Sequence, residues 1–203
     1  MDNDRCILRL KGVSKFFPGL KALDQVDFDL RYGEIHALVG ENGAGKSTLI
    51  KIITGVHQPD EGEIFCQDQR VIFANPTVAS RYHIAAVYQQ PASFPHLTVT
   101  ENIFLGHPLI QPQSRRLLWR EMRQQARALL SSLGADVSPT AVMGSLSVAQ
   151  QQMVEIAKAL SINAQILIMD EPTAALTKRE TEDLYAITRK LRDQGTSVIF
   201  ISH

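Results

Sequence analysis

Gly40-Glu41-Asn42-Gly43-Ala44-Gly45-Lys46-Ser47 decides the fold. The pattern is a glycine, four residues, then Gly-Lys-Ser. Its glycines let the backbone take positive φ and approach a ligand closely. The free N–H groups of such a loop, and of the helix start behind it, present partial positive charge to phosphate oxygens. In this pattern Lys46 reaches the outer phosphates, the Ser47 hydroxyl lies where a phosphate-bound Mg²⁺ is held, and Thr48 after it is a further candidate for nucleotide binding. The flanks agree with the motif. Ile35-His36-Ala37-Leu38-Val39 is an apolar run that predicts a buried strand, and Thr48-Leu49-Ile50-Lys51-Ile52-Ile53 predicts a helix.

Composition sets the outer limits. A chain of 203 residues can bury a sizeable core as one domain, or as a domain with a smaller subdomain. With 44% hydrophobic and 21% charged residues it belongs with globular chains rather than disordered ones. Lys+Arg and Asp+Glu both number 21, so the net charge is zero. That balance gives no footprint for nucleic acid and argues against a polybasic attachment to anionic lipid. No apolar run approaches the roughly 18 residues of a membrane span. The polar start, Met1-Asp2-Asn3-Asp4-Arg5, has no apolar signal core. A cytoplasmic chain is expected. Cys6 and Cys66 lack metal-ligand spacing and are expected to be packed thiols.

The elements can be placed outward from the loop. Ile7–Leu10 and Val26–Leu30 alternate apolar and polar residues, which predicts half-buried antiparallel strands. Glu63–Cys66 and Arg70–Phe73 form a hairpin pattern, and Ile84–Tyr88 predicts another buried strand. Thr98-Val99-Thr100-Glu101 is a capping box. Pro108 and Pro112 then break the chain, and Met122, Ala126, Leu129, Leu130 and Leu133 recur at helical spacing. Met153, Ile156, Ala157 and Leu160 mark a second helix face. Residues 107–162 therefore form a helical subdomain inserted in the domain. The core sheet resumes at Ile166–Met169, a helix carries Leu184, Ile187 and Leu191 up to Gly195, and Ser197–Ile201 is the last strand. Mixed strands followed by alternating strands and helices predict an α/β fold with a mixed core sheet, an antiparallel β edge and a helical subdomain.

Two further stretches carry chemistry. Ile166–Met169 is an apolar strand that ends in Asp170-Glu171. A strand tip can aim Asp170 at a phosphate-bound Mg²⁺ and leave Glu171 to polarise an attacking water. Leu146-Ser147-Val148-Ala149-Gln150-Gln151-Gln152 has capping-box spacing at Ser147 and Gln150.

Leu-Ser-x-x-Gln-Gln-Gln between a phosphate loop and Asp-Glu-Pro-Thr resembles the ATP-binding domain of ABC transporters, a P-loop NTPase fold, from Ile7 to His203. The resemblance implies ATP and Mg²⁺ as cofactors. It makes Phe17 the aromatic that stacks on adenine, with Phe16 as a rival, and Gln89 the glutamine that touches Mg²⁺ and couples to the membrane partner, with Gln90 beside it. Ser147 becomes the signature serine that binds the γ-phosphate of an opposite domain, and His203 the histidine that senses that phosphate. Lys46, Ser47, Asp170 and Glu171 keep the roles given above.

The departures point to a narrower group. The usual Leu-Ser-Gly-Gly-Gln has Val148 and Ala149 here, and Ala174–Thr177 lacks a frequent Asp. Both features resemble the first half of importer ATPases for ribose, xylose, galactose and autoinducer-2. That group implies a second ATPase domain, transmembrane permease subunits, a periplasmic solute-binding protein acting indirectly, no nucleic acid, and a peripheral place on the cytoplasmic face of the inner membrane. It also implies that the domain continues past His203, so that 1–203 would be C-terminally incomplete. An ABC-type ATPase unconnected with transport and an inactive nucleotide-binding remnant stay open as alternatives.

Overall fold

A computed structural model describes residues 5–88 and 93–202. The first sheet is antiparallel. Strands β1 (Cys6–Phe17) and β2 (Leu20–Arg31) are each 12 residues long and pair with one another, extending well beyond the segments the alternation predicts. β4 (Glu61–Cys66) pairs with the other side of β1, and β5 (Gln69–Val71) closes the order β2-β1-β4-β5. Gln67 and Asp68, at φ 53° and 62°, make the two-residue corner of the last hairpin. Left-handed backbone at both central positions matches the right-handed twist of the strands it joins.

The second sheet has the order β3-β8-β7-β6, with β3 (Ile35–Val39), β6 (Ile84–Val87), β7 (Ile166–Asp170) and β8 (Ser197–Ser202). β8 runs parallel to both β3 and β7. β7 and β8 are buried almost throughout, as the apolar runs of parallel strands covered on both faces require. Ile166 and Ile168 of β7, with Ile199 and Ile201 of β8, share a core with α1 (Lys46–Ile53) and the antiparallel sheet. The period of two leaves Leu167, Met169, Val198 and Phe200 for the opposite face. There α6 (Lys178–Asp193) contributes Thr188, whose hydroxyl lies 3.8 Å from the Met169 sulfur, and Tyr185, whose ring stands 5.6 Å from Phe200. Gly195 at φ 96° ends α6, donating its N–H to Arg192.

The expectation that Ile35–Val39 would be buried needs correction. β3 is only half-buried, and Val39 is 66% exposed, because β3 stands at one end of the strand order. β6 is likewise half-open at Ala85 and Ala86.

The described chain divides into two compact units. One takes the residues up to Ala86, with Ala164–Glu171 and the stretch from Leu184 onward. The other takes Val87–Asn163 and Pro172–Asp183. The second is helical. It holds α3 (Val99–Phe104), α4 (Trp119–Ser132) and α5 (Val148–Ser161). Thr98 caps α3 in a full capping box, and Asn102, 1% exposed, ties the preceding turn down through Phe94 N–H and the carbonyls of Phe94 and Thr98. Met122, Ala126 and Leu130 are the buried stripe of α4. α5 departs from a single-faced helix. Gln152, Val154, Glu155, Ile156, Ala157 and Ala159 are buried while Met153 and Leu160 are only half-buried, since both α3 and α4 pack on it. Among the described residues no helix is long and apolar enough to cross a membrane. Cys6 and Cys66 are free thiols, and burial pushes Cys66 up to about 11.

Candidate functional site

The loop 40–47 leaves the end of β3 and runs into α1, as its motif demands. Gly45 caps α1 at φ 87°, with its carbonyl accepting the Leu49 N–H at 2.9 Å. A Cβ at Gly45 would lie 2.6 Å from the Ala22 carbonyl oxygen and 2.8 Å from Leu23. This glycine is therefore required twice, by its dihedral and by the backbone of β2 beneath it. Gly43 is also left-handed, at φ 86°, but faces open space. Glu41, Asn42, Gly43 and Ala44 are exposed, and so is Ser47, one residue into α1. Gly40 and Thr48 are half-buried.

Lys46 is 9% exposed. Its ammonium donates to the carbonyls of Gly40 and Glu41 and so lies inside the loop's own curve. A nearly buried ammonium held, among the described residues, by neutral carbonyl oxygens is a ready partner for an anion.

Sheet register brings the acids to the same edge. Val39 is opposite Ser202, Leu38 is opposite Ile201, and Asp170 is opposite Ile201 from the other side. The chain thus enters the phosphate loop, leaves β8 and leaves β7 at one carboxyl edge, the place where parallel α/β sheets bind ligands. Asp170 and Glu171 are both half-buried there. Glu171 has φ 47°, and its N–H donates to the Ile201 carbonyl at 3.2 Å. A left-handed non-glycine is an uncommon conformation. Here it turns the chain sharply at the strand tip. The sequence offered no sign of this, because dihedral strain leaves no mark on composition.

Phe17 ends β1, half-buried, with its ring 5.4 Å from His57 in an edge contact and the Lys15 ammonium 5.7 Å away. Lys15 is in turn held by Asp60 at 2.9 Å. Asp60 also accepts the Phe16 N–H, and these two bonds hold its carboxyl below the usual range. Phe16 is 42% exposed beneath Lys21. His57 and Asp60 were not singled out from the sequence. They lie about 40 residues from Phe17, and only the pairing of β1 with β4 brings them close.

Ser147 caps α5 in the second unit. Its hydroxyl accepts the Gln150 N–H at 3.3 Å, and the Gln150 side chain accepts the Ser147 N–H at 3.0 Å. Ser147 and Val148 are exposed at this helix start. Gln89 and its rival Gln90, and His203, lie outside the described residues. Among the described residues no three of His, Cys, Asp or Glu cluster as a metal cage.

A glycine-capped helix start behind a parallel strand, with acids at the next strand ends but one, defines a P-loop α/β nucleotide-binding fold. The sequence pattern of the ABC transporter family matches residues 23–174, and the chain belongs to that family. It is similar to a ribose import ATP-binding protein of Streptomyces avermitilis, 50% identical over 204 residues, covering 100% of this chain and 38% of that protein. It is also similar to a ribose import ATP-binding protein of Rhizobium etli, 48% identical over 197 residues, covering 97% of this chain and 38% of that one. The chain therefore spans well under half the length of these relatives. Among solved structures it resembles a nucleotide-free ATP-binding cassette from an ABC transporter, with a TM-score of 0.86, 29% identity, and 98% and 82% of the two chains covered. It also resembles the dimeric post-hydrolysis state of an ATP-binding cassette bound to ADP and Pi, with a TM-score of 0.79, 27% identity, and 97% and 88% covered.

Proposed function

We propose that this chain binds MgATP and hydrolyses it to energise import of a sugar, acting with transmembrane permease subunits, a periplasmic solute-binding protein and a second ATPase domain at the cytoplasmic face of the membrane. The single observation that supports it best is the shared carboxyl edge, where the phosphate loop, the tip of β7 and the tip of β8 end together. The names of its relatives supply the sugar.

The residues fit the cofactor. The left-handed Gly43 leaves open space where a side chain would stand, and the Lys46 ammonium is held by loop carbonyls that it can exchange for phosphate oxygens. Glu41–Ala44 and Gly45 would offer backbone N–H groups to the phosphates, and Ser47 with Asp170 would hold Mg²⁺, joined by Gln89. So few protein ligands suit a magnesium that keeps its waters and its phosphates. Magnesium would supply charge neutralisation on the phosphate oxygens. Phe17 would hold the adenine by stacking, and Ser147 would serve the site of the paired domain. Glu171 would accept a proton from the attacking water, and His203 would contact the terminal phosphate. Most of the acceleration would come from positioning and fixed charge.

Titration of the chain with a fluorescent ATP analogue in Mg²⁺ tests the reading. Binding should be measurable for the parent and lost in Lys46→Ala, which removes a charge-assisted phosphate contact. Equal affinities in the two would overturn it.

A further inference from the structure

Asp60 holds three successive residues of β1. Its N–H donates to the Ser14 carbonyl at 2.9 Å, its Oδ1 takes the Lys15 ammonium at 2.9 Å, and its Oδ2 accepts the Phe16 N–H at 2.7 Å. The next residue is Phe17. These bonds fall where the sheet stops supporting β1. β4 pairs with β1 from Leu8 to Ser14, which stands opposite Glu61, and the ladder between β1 and β2 slips between Lys15 and Phe16. Past Ser14 the Asp60 carboxylate takes the place of a strand carbonyl for the Phe16 N–H.

The same carboxylate keeps Lys15 across Phe17. The Lys15 ammonium stands 5.7 Å from the ring centroid, and its side chain is only 15% exposed. A lysine without a partner extends its head group into water. A second element reaches the ring through His57. The His57 and Val56 N–H groups both donate to the Lys51 carbonyl in the last turn of α1, at 2.9 and 2.7 Å. The imidazole lies 5.4 Å from Phe17, with the two planes at 69°. The ring is thus braced by the helix that begins in the phosphate loop. Register puts it beside that loop as well. A Cβ on Gly45 would meet Leu23 at 2.8 Å, and Leu23 is opposite Lys15. Phe17 is two residues farther along β1, about 7 Å at the rise of a strand.

We propose that Asp60 is a positioning residue for the nucleotide base. It fixes Lys15 and the backbone of Phe16 so that the Phe17 ring, braced by His57, is a preformed platform on which a heteroaromatic base stacks beside the phosphate loop. A ring ordered before binding loses no rotamer freedom when the base settles on it. The inference rests on the nucleotide reading above. It adds the residues through which the base, rather than the phosphates, contributes to affinity.

Calorimetric titration with MgATP and with magnesium tripolyphosphate separates the two parts of the site, because only ATP carries a base. Stacking a base on an aromatic ring is worth on the order of 5- to 150-fold in affinity. Phe17→Ala should remove most of the parent's preference for ATP. Asp60→Ala should lower that preference by about 2- to 10-fold, the effect of freeing one side chain, and leave tripolyphosphate affinity unchanged. Asp60→Asn can still accept the Phe16 N–H but loses the charge that holds Lys15, and should fall between. In a Phe17→Ala background, Asp60→Ala should change the preference no further, since there is no ring left to position. Unfolding midpoints confirm that each variant is titrated in its folded state.

Equal losses for ATP and tripolyphosphate in Asp60→Ala, an unchanged preference, or the same loss with and without Phe17 would each overturn the proposal. Lys46→Ala tells its failure from that of the nucleotide reading. If the parent binds tripolyphosphate, Lys46→Ala does not, and Asp60→Ala keeps the parent's preference for ATP, the phosphate loop stands and the platform falls. If the parent binds neither ligand, both fall.

Discussion

At the scale of single residues, the two left-handed glycines of the phosphate loop separate two kinds of constraint. Gly43→Ala meets only an unfavourable dihedral, worth roughly 1–2 kcal/mol. Gly45→Ala meets the same dihedral and the Ala22 carbonyl 2.6 Å away. The second should destabilise the fold clearly more than the first, as read from denaturation midpoints, and equal losses would contradict the packing of the loop on β2. The acids of β7 divide in the same way. Glu171→Gln keeps the shape and an acceptor oxygen but loses the charge that polarises water. It should retain ATP and lose about 10²–10⁴-fold in turnover in a reconstituted site. Asp170→Asn should instead weaken Mg²⁺ and with it productive binding, so nucleotide occupancy measured beside turnover tells the two apart. Motif spacing made Lys46, Ser47, Asp170 and Glu171 legible as candidates. The left-handed turn at Glu171 was not legible, because its N–H bonds the backbone of a distant strand, and the buried Lys46 was not legible, because motif spacing does not say that its ammonium folds back onto the loop's own carbonyls.

At the scale of elements, the capping boxes were the most readable features, since both partners lie within four residues. The Thr98 box on α3 and the Ser147 box on α5 both form as spaced. Thr98→Ala should cost about 1 kcal/mol. Glu101 accepts from the Thr98 hydroxyl and N–H, and these bonds hold its carboxyl below the usual range. A depressed carboxylate stabilises the fold fully above its unfolded pKa and ceases to do so as pH falls through the folded value. The gap in stability between parent and Thr98→Ala should accordingly narrow in acid, in thermal melts taken from pH 7 downward. A gap that widened would show that Glu101 is not the partner. α5 was less readable. A stripe of Met153, Ile156, Ala157 and Leu160 suits a helix covered on one side, and this one is covered on more.

At the scale of the whole molecule, the proposed chemistry requires two domains. Val148 and Ala149 stand where the family usually has glycines, and a side chain there hinders close approach of backbone to phosphate. The isolated chain is therefore expected to bind ATP yet release phosphate near background, with turnover rising when a full second domain is supplied. Steady-state phosphate release with and without that domain measures this, and brisk turnover by the lone chain would reject the cross-domain arrangement.

The sequence by itself determined what depends on near neighbours along the chain. It specified a phosphate loop between strand and helix, the strand tip Asp170-Glu171, the capped helix starts, and an α/β fold, whereas the antiparallel strands expected as the edge of a mixed sheet form a sheet of their own. These signals are carried by residues within a few positions of each other, where spacing alone defines geometry. Tertiary structure decided what depends on register and packing across the chain. Parallel pairing of β8 with β3 and β7 brings Val39, Ser202 and Asp170 to one edge across more than a hundred residues. The place of β3 in the strand order leaves Val39 open. The pairing of β1 with β4 sets His57 and Asp60 near Phe17 and Lys15. Local pattern cannot encode any of these, because the same apolar run fits the centre of a sheet or its edge, and only its neighbours decide which.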